Sequence, residues 1–266
     1  EFLRWLEEEN HFCNTLVDRI CTGYPADEKE ALTERLGCVD LLMNTAEIFH
    51  LWVIEGDFEK EFPLQRAGVN VIWTDDVAPY KKRKVRILNG AHTAMVLGAR
   101  LYGLDTVREC VGDELVGGFL RRAMFEEIIP VLGGREEDIA FAKAVWERFA
   151  NPFVNHRLLS IALNSVSKFR TRVLPTILEY YEKQKKLPAC LTLSLAALIC
   201  FYHTEEANDV PEVMEFMKTA DVGAVLARED YWGSDLSFMK EVVERMVSCI
   251  ESEGMEYAYR EEWGLA

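Results

Sequence analysis

The chain has 266 residues, 49% of them hydrophobic, which is enough to bury a core in one large or two small domains. A formal net charge of −15 argues against a nucleic-acid partner or an anionic membrane surface, because both attract basic proteins. The seven cysteines include no Cys-x2-Cys pair and the five histidines are scattered, so we expect reduced thiols in a cytoplasmic protein, with no disulfide frame. The sequence has no metal-binding motif, although residues from distant segments could still form a metal site.

Residues 1–83 predict a small mixed region of short helices and about two strands. The acidic, amphipathic N-terminal stretch does not have the composition of a signal peptide. A helix is predicted over 27–36, with Gly37 as its stop. Branched and aromatic residues at 48–54 and 69–74 predict the two strands, the second ended by two aspartates and a proline.

Residues 84–266 read almost entirely as helix. The first helix is expected from about Arg86 to Tyr102, with Lys84 at or just before its start. Asp105 is expected to cap the next helix. Further helices are predicted over 113–129, 135–149, 156–166, 172–184, 187–202, 211–219 and 234–253. Pro130 is expected to end the first of these, and Ser234 is expected to cap the last. The apolar run 187–202 is short for a membrane span of about 20 residues, so it predicts a buried core helix.

The segment that ends in Lys84-x4-Asn89-x2-His92 carries the clearest chemistry. A lysine can move a proton, while a carboxamide and an imidazole can hold and polarise an oxygen. At about 100° per residue, Asn89 and His92 share one face of a helix, whereas Lys84 lies about 140° from Asn89. Lys84 acting as a base needs a lowered pKa, which burial and neighbouring cations favour. By itself the triplet also fits solvated or capping groups.

Two further segments offer binding groups. Asn14 and Asp18 interrupt an apolar stretch and could bind substrate hydroxyls, although taken alone the stretch is more typical of a loop tied by its own side chains, with Asp18 paired to Arg19. Downstream, Lys168 and Arg172 are four residues apart, so they share a helix face if a helix has begun by Lys168. Such a pair could hold a carboxylate, or could be an ordinary basic turn. The run 81–83 is more typical of a solvated surface.

These segments together resemble the polyol-specific long-chain dehydrogenases. The resemblance rests on Lys-x4-Asn-x2-His at 84–92, Asn-Thr-Leu-Val-Asp-Arg-Ile-x-Thr-Gly-Tyr-Pro at 14–25, Arg-Phe-x-Asn-Pro at 148–152 and Ser-Lys-x3-Arg-x-Leu-Pro at 167–175. The second of these elements is most similar to the tagaturonate reductase branch. Fructuronate reductases and mannitol dehydrogenases are the alternatives.

The resemblance implies an NAD-dependent reduction of D-tagaturonate to D-altronate, without a metal. Lys84 would be the acid/base, Asn89 and His92 would orient the reacting oxygen, and Asn14, Asp18, His156, Lys168 and Arg172 would line the sugar-acid site. It also implies a multi-helical C-terminal dehydrogenase domain over 84–266, similar to that of 6-phosphogluconate dehydrogenase. Residues 1–83 would then be the α/β tail of the nucleotide-binding half.

One departure from the family concerns the cofactor. No Gly-x-Gly-x2-Gly turn follows a strand, so we expect the phosphate-binding turn for NAD to be absent from this chain. The chain would then be a fragment whose partner is the N-terminal nucleotide-binding half of the same enzyme. If it acts alone, the alternative is a non-enzymatic helical module for assembly.

Overall fold

The computed structural model describes residues 1–262 of the chain. They form two compact units, the first from Glu1 to Lys84 and the second beginning at Val85. Helices dominate the second unit, whereas the first combines short strands with short helices. The expectation of a mainly α fold with a small α/β part is confirmed.

Short strands form the β-structure of the first unit. In chain order they are β1 (Thr15–Asp18), β2 (Cys21–Gly23), β3 (Thr45–Ala46), β4 (Leu51–Glu55) and β5 (Val71–Thr74). β4 is the middle strand of a three-stranded sheet, antiparallel to β1 and parallel to β5. β2 and β3 make a separate antiparallel pair. Buried branched residues such as Val53 and Val71 hold the larger sheet.

The expectation of about two strands was wrong. The apolar runs 48–54 and 69–74 do contain β4 and β5. β1, β2 and β3 were missed because they have two to four residues and mostly exposed side chains, which leaves no apolar alternation to detect. Helix α1 (Phe2–Glu8) precedes them, and α2 (Lys29–Leu36) ends at Gly37 as predicted, with a left-handed φ of 70° at that glycine.

Helical structure continues from Ala78 to Tyr102 in three segments. Helix α3 (Ala78–Lys84) is followed by a first π segment, Val85–Asn89, and then by α4 (Gly90–Tyr102). The prediction that Lys84 lies at or before a helix start was therefore wrong, since Lys84 ends a helix. Pro79 lies in the first turn of α3, where a missing N–H costs no helical hydrogen bond.

The rest of the second unit is built from helices. They are α5 (Val107–Gly112), α6 (Glu114–Arg122), α7 (Ile129–Leu132), α8 (Glu136–Phe149), α9 (Leu158–Ala162), α10 (Ser165–Arg172), α11 (Leu174–Gln184), α12 (Ala189–Tyr202), α13 (Pro211–Met217), α14 (Val222–Leu226), α15 (Glu229–Trp232) and α16 (Lys240–Glu262). A second π segment, Ala123–Ile128, joins α6 to α7.

Helix α12 is the centre of this unit. Each of its residues from Cys190 to Tyr202 is buried, and it packs against α4 and α16. A helix that is apolar on every side belongs in a core, so the prediction for 187–202 is confirmed. Across residues 1–262, no helix is long and apolar enough to cross a membrane.

Several predicted helix limits were wrong. Pro130 does not end the helix before it, because the second π segment leads into α7, which continues to Leu132 and ends at Gly133. Arg172 ends α10 instead of beginning the helix that comes next. Asp105 is not the cap of α5; Thr106 is, in a capping box with Glu109.

The predicted start of the last long helix was also wrong. Ser234 does not cap it, because a short 3-10 turn at Ser237–Met239 comes first and α16 begins only at Lys240. The chain breaks regular helical geometry again at Gly254, where φ is 86°. A glycine tolerates that conformation without strain, so α16 consists of two helical stretches that meet at this kink.

Candidate functional site

The first π segment sets how the Lys-x4-Asn-x2-His motif is presented. Hydrogen bonds from residue i to i+5 replace the usual i to i+4 pattern over Val85–Asn89. The sequence-based angle of about 140° between Lys84 and Asn89 assumed α geometry, so it does not apply across this segment. From Gly90 onward the helix is regular: Asn89 is the residue before its start, and His92 lies in its first turn.

His92 is held by aromatic contacts. Its ring is 5% exposed and stacks on Phe149, with centroids 4.0 Å apart and planes 7° from parallel. Phe149 is the last residue of α8, in the Arg-Phe-x-Asn-Pro element. The ring of His156 meets His92 edge-on at 5.4 Å. Two segments that are more than fifty residues beyond His92 therefore fix the plane of its imidazole.

His156, which contacts His92, interacts with Lys168 of α10, and Arg172 of the same helix contacts the residue after His92. Burial, and secondly the charge of Lys168, lower the pKa of His156, which favours its neutral form. Burial, and then the charge of Arg172, also lower the pKa of Lys168, although Asp209 opposes this shift. The half-buried Arg172 donates from Nη1 to Thr93 Oγ1 at 3.4 Å, directly after His92. Helix α10 begins at Ser165, before Lys168, so Lys168 and Arg172 share one of its faces as expected.

This cluster (His92, His156, Lys168 and Arg172) has the electrostatics of an anion site. Burial lowers the pKa of Arg172 as well as that of Lys168, so both cations are held in a medium that disfavours positive charge. The Lys168 ammonium donates to the carbonyl of Ile161 at 2.9 Å, a neutral partner. A carboxylate placed here would offset the cost of burying the two charges.

A buried tyrosine holds the start of α10. The Tyr202 hydroxyl accepts the amides of Ser165 at 3.1 Å and Val166 at 3.3 Å, and donates to Asp209 Oδ2 at 2.5 Å. Burial, and then the hydrogen bond to Asp209, raise the pKa of Tyr202 far above its usual value, so it remains a donor. Lys168 and Arg172 therefore project from a helix whose first turn is anchored.

Three predicted site residues lie in the first unit. Asn14 is exposed before β1, and its side-chain oxygen accepts the amide of Thr15 at 3.0 Å. Asp18 ends β1, is 1% exposed and lies opposite Leu51 of β4, so this segment is a strand and not the loop of the alternative interpretation. Lys84 is half-buried at the end of α3. Their grouping with the cluster stays a prediction.

Sequence reasoning missed some residues that build the cluster. Phe149 had a signal, because it belongs to the Arg-Phe-x-Asn-Pro element, but nothing in the spacing linked it to His92. Thr93 adjoins His92 and was not singled out. Tyr202 and Asp209 carried no signal, since one lies in an apolar run and the other in a polar loop. Contacts of this kind depend on tertiary packing.

A concave surface lies within the first unit. It encloses about 460 Å³ and is lined by side chains that are mostly aromatic, among them His11, Trp52, Phe58, Phe62 and Trp73. No predicted site residue lines it. Over the described part of the chain, no group of three histidine, cysteine, aspartate or glutamate side chains is arranged to hold a metal ion.

Comparison with known proteins gives consistent matches. Residues 76–252 match the family Mannitol dehydrogenase C-terminal domain, and residues 1–65 match Mannitol dehydrogenase Rossmann domain. Altronate oxidoreductase of Yersinia enterocolitica is 44% identical over 277 residues, covering 94% of this chain and 57% of that protein. The Escherichia coli O6:K15:H31 protein of the same name is 43% identical, covering 97% and 59%. The chain thus spans less than two thirds of these relatives.

Solved structures show the same fold. Pseudomonas fluorescens mannitol 2-dehydrogenase, in a ternary complex with NAD and D-mannitol, aligns with a TM-score of 0.83 at 24% identity, covering 98% of this chain and 56% of that one. A substrate-free D-sorbitol dehydrogenase aligns with a TM-score of 0.77, also at 24% identity, covering 96% and 56%. At this identity the likeness concerns the fold alone.

Proposed function

This chain belongs to the mannitol dehydrogenase family, and from that premise we propose that it is the substrate-binding and catalytic part of an NAD-dependent hexuronate oxidoreductase. The reaction is the reversible reduction of D-tagaturonate to D-altronate in the cytoplasm. The small-molecule partner of this chain is thus a sugar acid. The identity to altronate oxidoreductases over most of the chain supports this substrate. We also propose that the fold of residues 84–266 is similar to that of the C-terminal domain of 6-phosphogluconate dehydrogenase.

The observation that carries the proposal is the cationic cluster around His92. Lys168 and Arg172 put two half-buried charges beside an imidazole pair, where burial disfavours their charged forms. A neutral polyol would leave that cost in place, whereas the carboxylate of a uronate would offset it. The cluster therefore favours a sugar acid over fructose or mannitol, the substrate class of the mannitol dehydrogenase alternative.

The proposed roles divide the chemistry among this chain's own residues. Lys84 donates a proton from Nζ to the substrate oxygen as it becomes an alkoxide, and takes it back in the oxidative direction. Asn89 and His92 hold and polarise that oxygen. His156, Lys168 and Arg172 bind the carboxylate end, and Asn14 and Asp18 bind hydroxyls. The roles of the first-unit residues rest on the sequence resemblance.

The nicotinamide cofactor is proposed for the complete enzyme, not for this chain alone. When bound, NADH supplies the hydride. Within residues 1–262, the glycine pair at 117–118 lies inside α6 and the pair at 133–134 follows α7, so neither pair lies between a strand and a helix, as a phosphate-binding turn requires. We therefore include in the proposal an N-terminal nucleotide-binding half of the same enzyme. This chain together with that half is called the complete enzyme below.

The first test measures NADH absorbance for the complete enzyme with tagaturonate, fructuronate and fructose side by side. Faster turnover of tagaturonate is expected. Preference for fructuronate would move the assignment to fructuronate reductase, and preference for fructose would move it to mannitol dehydrogenase. Absence of turnover with all three substrates would refute the oxidoreductase proposal.

The role of Arg172 can be tested separately. Arg172→Met should raise KM for the uronate by about 10- to 100-fold, the range expected when a hydrogen-bonded charge pair is lost. Turnover of a neutral ketose should change little. Arg170→Met on the same helix is the matched control, because Arg170 is exposed and donates to the carbonyl of Asp230. Equal losses on both substrates would remove the carboxylate role.

If this chain acts alone, the alternative is a helical module for assembly, without catalysis of its own. It predicts that Lys84→Ala leaves every activity of the complete enzyme unchanged. The catalytic proposal predicts a loss in kcat of about 10²- to 10⁴-fold with folding intact. Lys81→Ala, an exposed lysine on the same helix α3, should keep full activity and serves as the control.

A further inference from the structure

Arg86 lies inside the first π segment and is itself buried. Its side chain is 10% exposed, and its guanidinium reaches helix α11. Nη1 donates to Thr176 Oγ1 at 2.7 Å, and Nη2 donates to Glu179 Oε1 at 2.5 Å. Thr176 and Glu179 are three residues apart, so they present both acceptors on one face of α11. The pair of bonds ties the π segment to a neighbouring helix of the same unit.

This tie restricts how the segment can rotate. A buried guanidinium that loses its acceptors carries a large desolvation penalty, so Arg86 must keep facing α11. A π segment contains one residue more than the α-helix it interrupts, and each residue turns the helix by about 100°. Relaxation to regular α geometry would therefore rotate the helix after the segment by roughly that angle relative to the helix before it, and part of this rotation would turn Asn89 and His92 relative to Arg86.

A second restraint acts at the end of the segment. A Cβ atom added at Gly90 would lie 3.0 Å from the carbonyl oxygen of Arg172 and 3.5 Å from that of Val85. The absence of a side chain thus lets the first turn of α4 pack directly on the last residue of α10. Together the two restraints fix the segment on both sides, next to the residues that line the cluster.

We propose that Arg86 is a positioning residue for the site: through Thr176 and Glu179 it holds the π segment and so sets the direction in which Asn89 and His92 face. The proposal rests on the proposed function for its catalytic consequence. Its structural part, that Arg86 maintains the π segment, can be measured without substrate.

The main test compares Arg86→Met with Arg100→Met in the complete enzyme. Arg100 is a matched control because it lies near the other end of α4 and also pairs with a carboxylate, Glu206, at 2.6 Å. Arg86→Met should lower kcat by about 10²-fold with little change in KM, the effect of a small misplacement of reacting groups. It should also speed amide hydrogen exchange in peptides that cover residues 85–93. Arg100→Met should do neither.

Two milder variants keep the test informative if Arg86→Met folds poorly. Arg86→Lys retains the charge and one hydrogen bond, so it should recover part of kcat. Thr176→Val removes one acceptor at nearly constant volume and should lower kcat less than Arg86→Met does. Equal kcat in the Arg86 and Arg100 variants, at a temperature where both are folded, would overturn the positioning role.

The outcomes separate this inference from the proposed function. If the unmodified complete enzyme turns over no sugar substrate, the function is refuted, yet hydrogen exchange at residues 85–93 still reports on Arg86. Unchanged exchange in Arg86→Met would overturn the structural part of the proposal whatever the activity. Faster exchange together with a lowered kcat supports both parts.

Discussion

The two π segments are built alike but lie in different surroundings. Each contains a buried charged side chain that reaches another helix: Arg86 reaches α11, and Glu127 accepts the amides of Cys190 at 2.8 Å and Leu191 at 2.9 Å at the start of α12. The first segment ends at Asn89, three residues before His92. The second is followed by apolar core residues, among them Ile129 and Val131.

This difference argues that a π segment alone is not evidence of a functional site. π segments are frequent at functional sites, but the residues that come next along the helix decide their role. After the first segment come a glycine and an imidazole that lies within the cluster. Glu127 in the second caps the most buried helix of the unit, whose N-terminus attracts a carboxylate. We therefore expect activity to depend on the first segment and stability on the second.

Among substitutions within the two π segments, Asn89→Ala should give the largest effect on activity. If Asn89 has its proposed role, loss of this donor to the reacting oxygen should lower kcat by about 10²- to 10³-fold in the complete enzyme, as for other lost oxyanion donors. The melting temperature should stay close to that of the unmodified protein. Steady-state kinetics and thermal unfolding measure both, with Asn208→Ala, an exposed asparagine, as the control. A lower melting temperature with unchanged kcat would contradict the expectation that the first π segment serves activity and not stability.

Glu127→Gln should do the opposite. The amide can accept only one of the two hydrogen bonds, and one buried N–H at the start of α12 loses its partner, which should cost about 1 to 3 kcal/mol of unfolding free energy. Once folded, the enzyme should keep its kcat. Denaturant unfolding gives the free energy, and Glu126→Gln is the matched control because that neighbour is exposed on the same segment. A lowered kcat at full occupancy of the folded state would contradict the structural role of this segment.

The smallest expected effect concerns pH. Burial lowers the pKa of His156 in the folded state, so the unfolded chain binds a proton more readily once the pH falls below about 6.5. The folded state should therefore lose stability as the pH falls through that range. His156→Gln should flatten this part of the curve, and melting temperatures at pH 5.5 and 7.5 would show it. An unchanged slope would mean that His156 titrates alike in both states.

Much of the helical fold could be predicted from apolar periodicity. The core helix α12, the body of α4 and the strands β4 and β5 all follow from local pattern. The π segments could not be predicted, because a shift from i+4 to i+5 bonding leaves no trace in the apolar spacing. The start at Ala78 was missed because Pro79 suggested a break, although proline is favourable in a first helical turn.

The candidate site also has a part that could be predicted from the sequence and a part that could not. The pair Lys168 and Arg172 and the pair Asn89 and His92 could be read from spacing, since each lies on one helix. The stack of His92 on Phe149 and the contact of His92 with His156 bring together residues that are far apart in sequence. Only tertiary packing decides such contacts. The hydrogen bonds by which Tyr202 anchors the start of α10 also depend on tertiary packing.

The stacked rings of His92 and Phe149 also have a spectroscopic consequence. With centroids 4.0 Å apart and planes nearly parallel, the imidazole lies in the shielding region of the benzene ring current. The carbon-bound protons of His92 should therefore resonate upfield of those of exposed histidines. Their chemical shifts report how squarely the two rings overlap, so one pair of NMR signals can track the geometry of this site in solution.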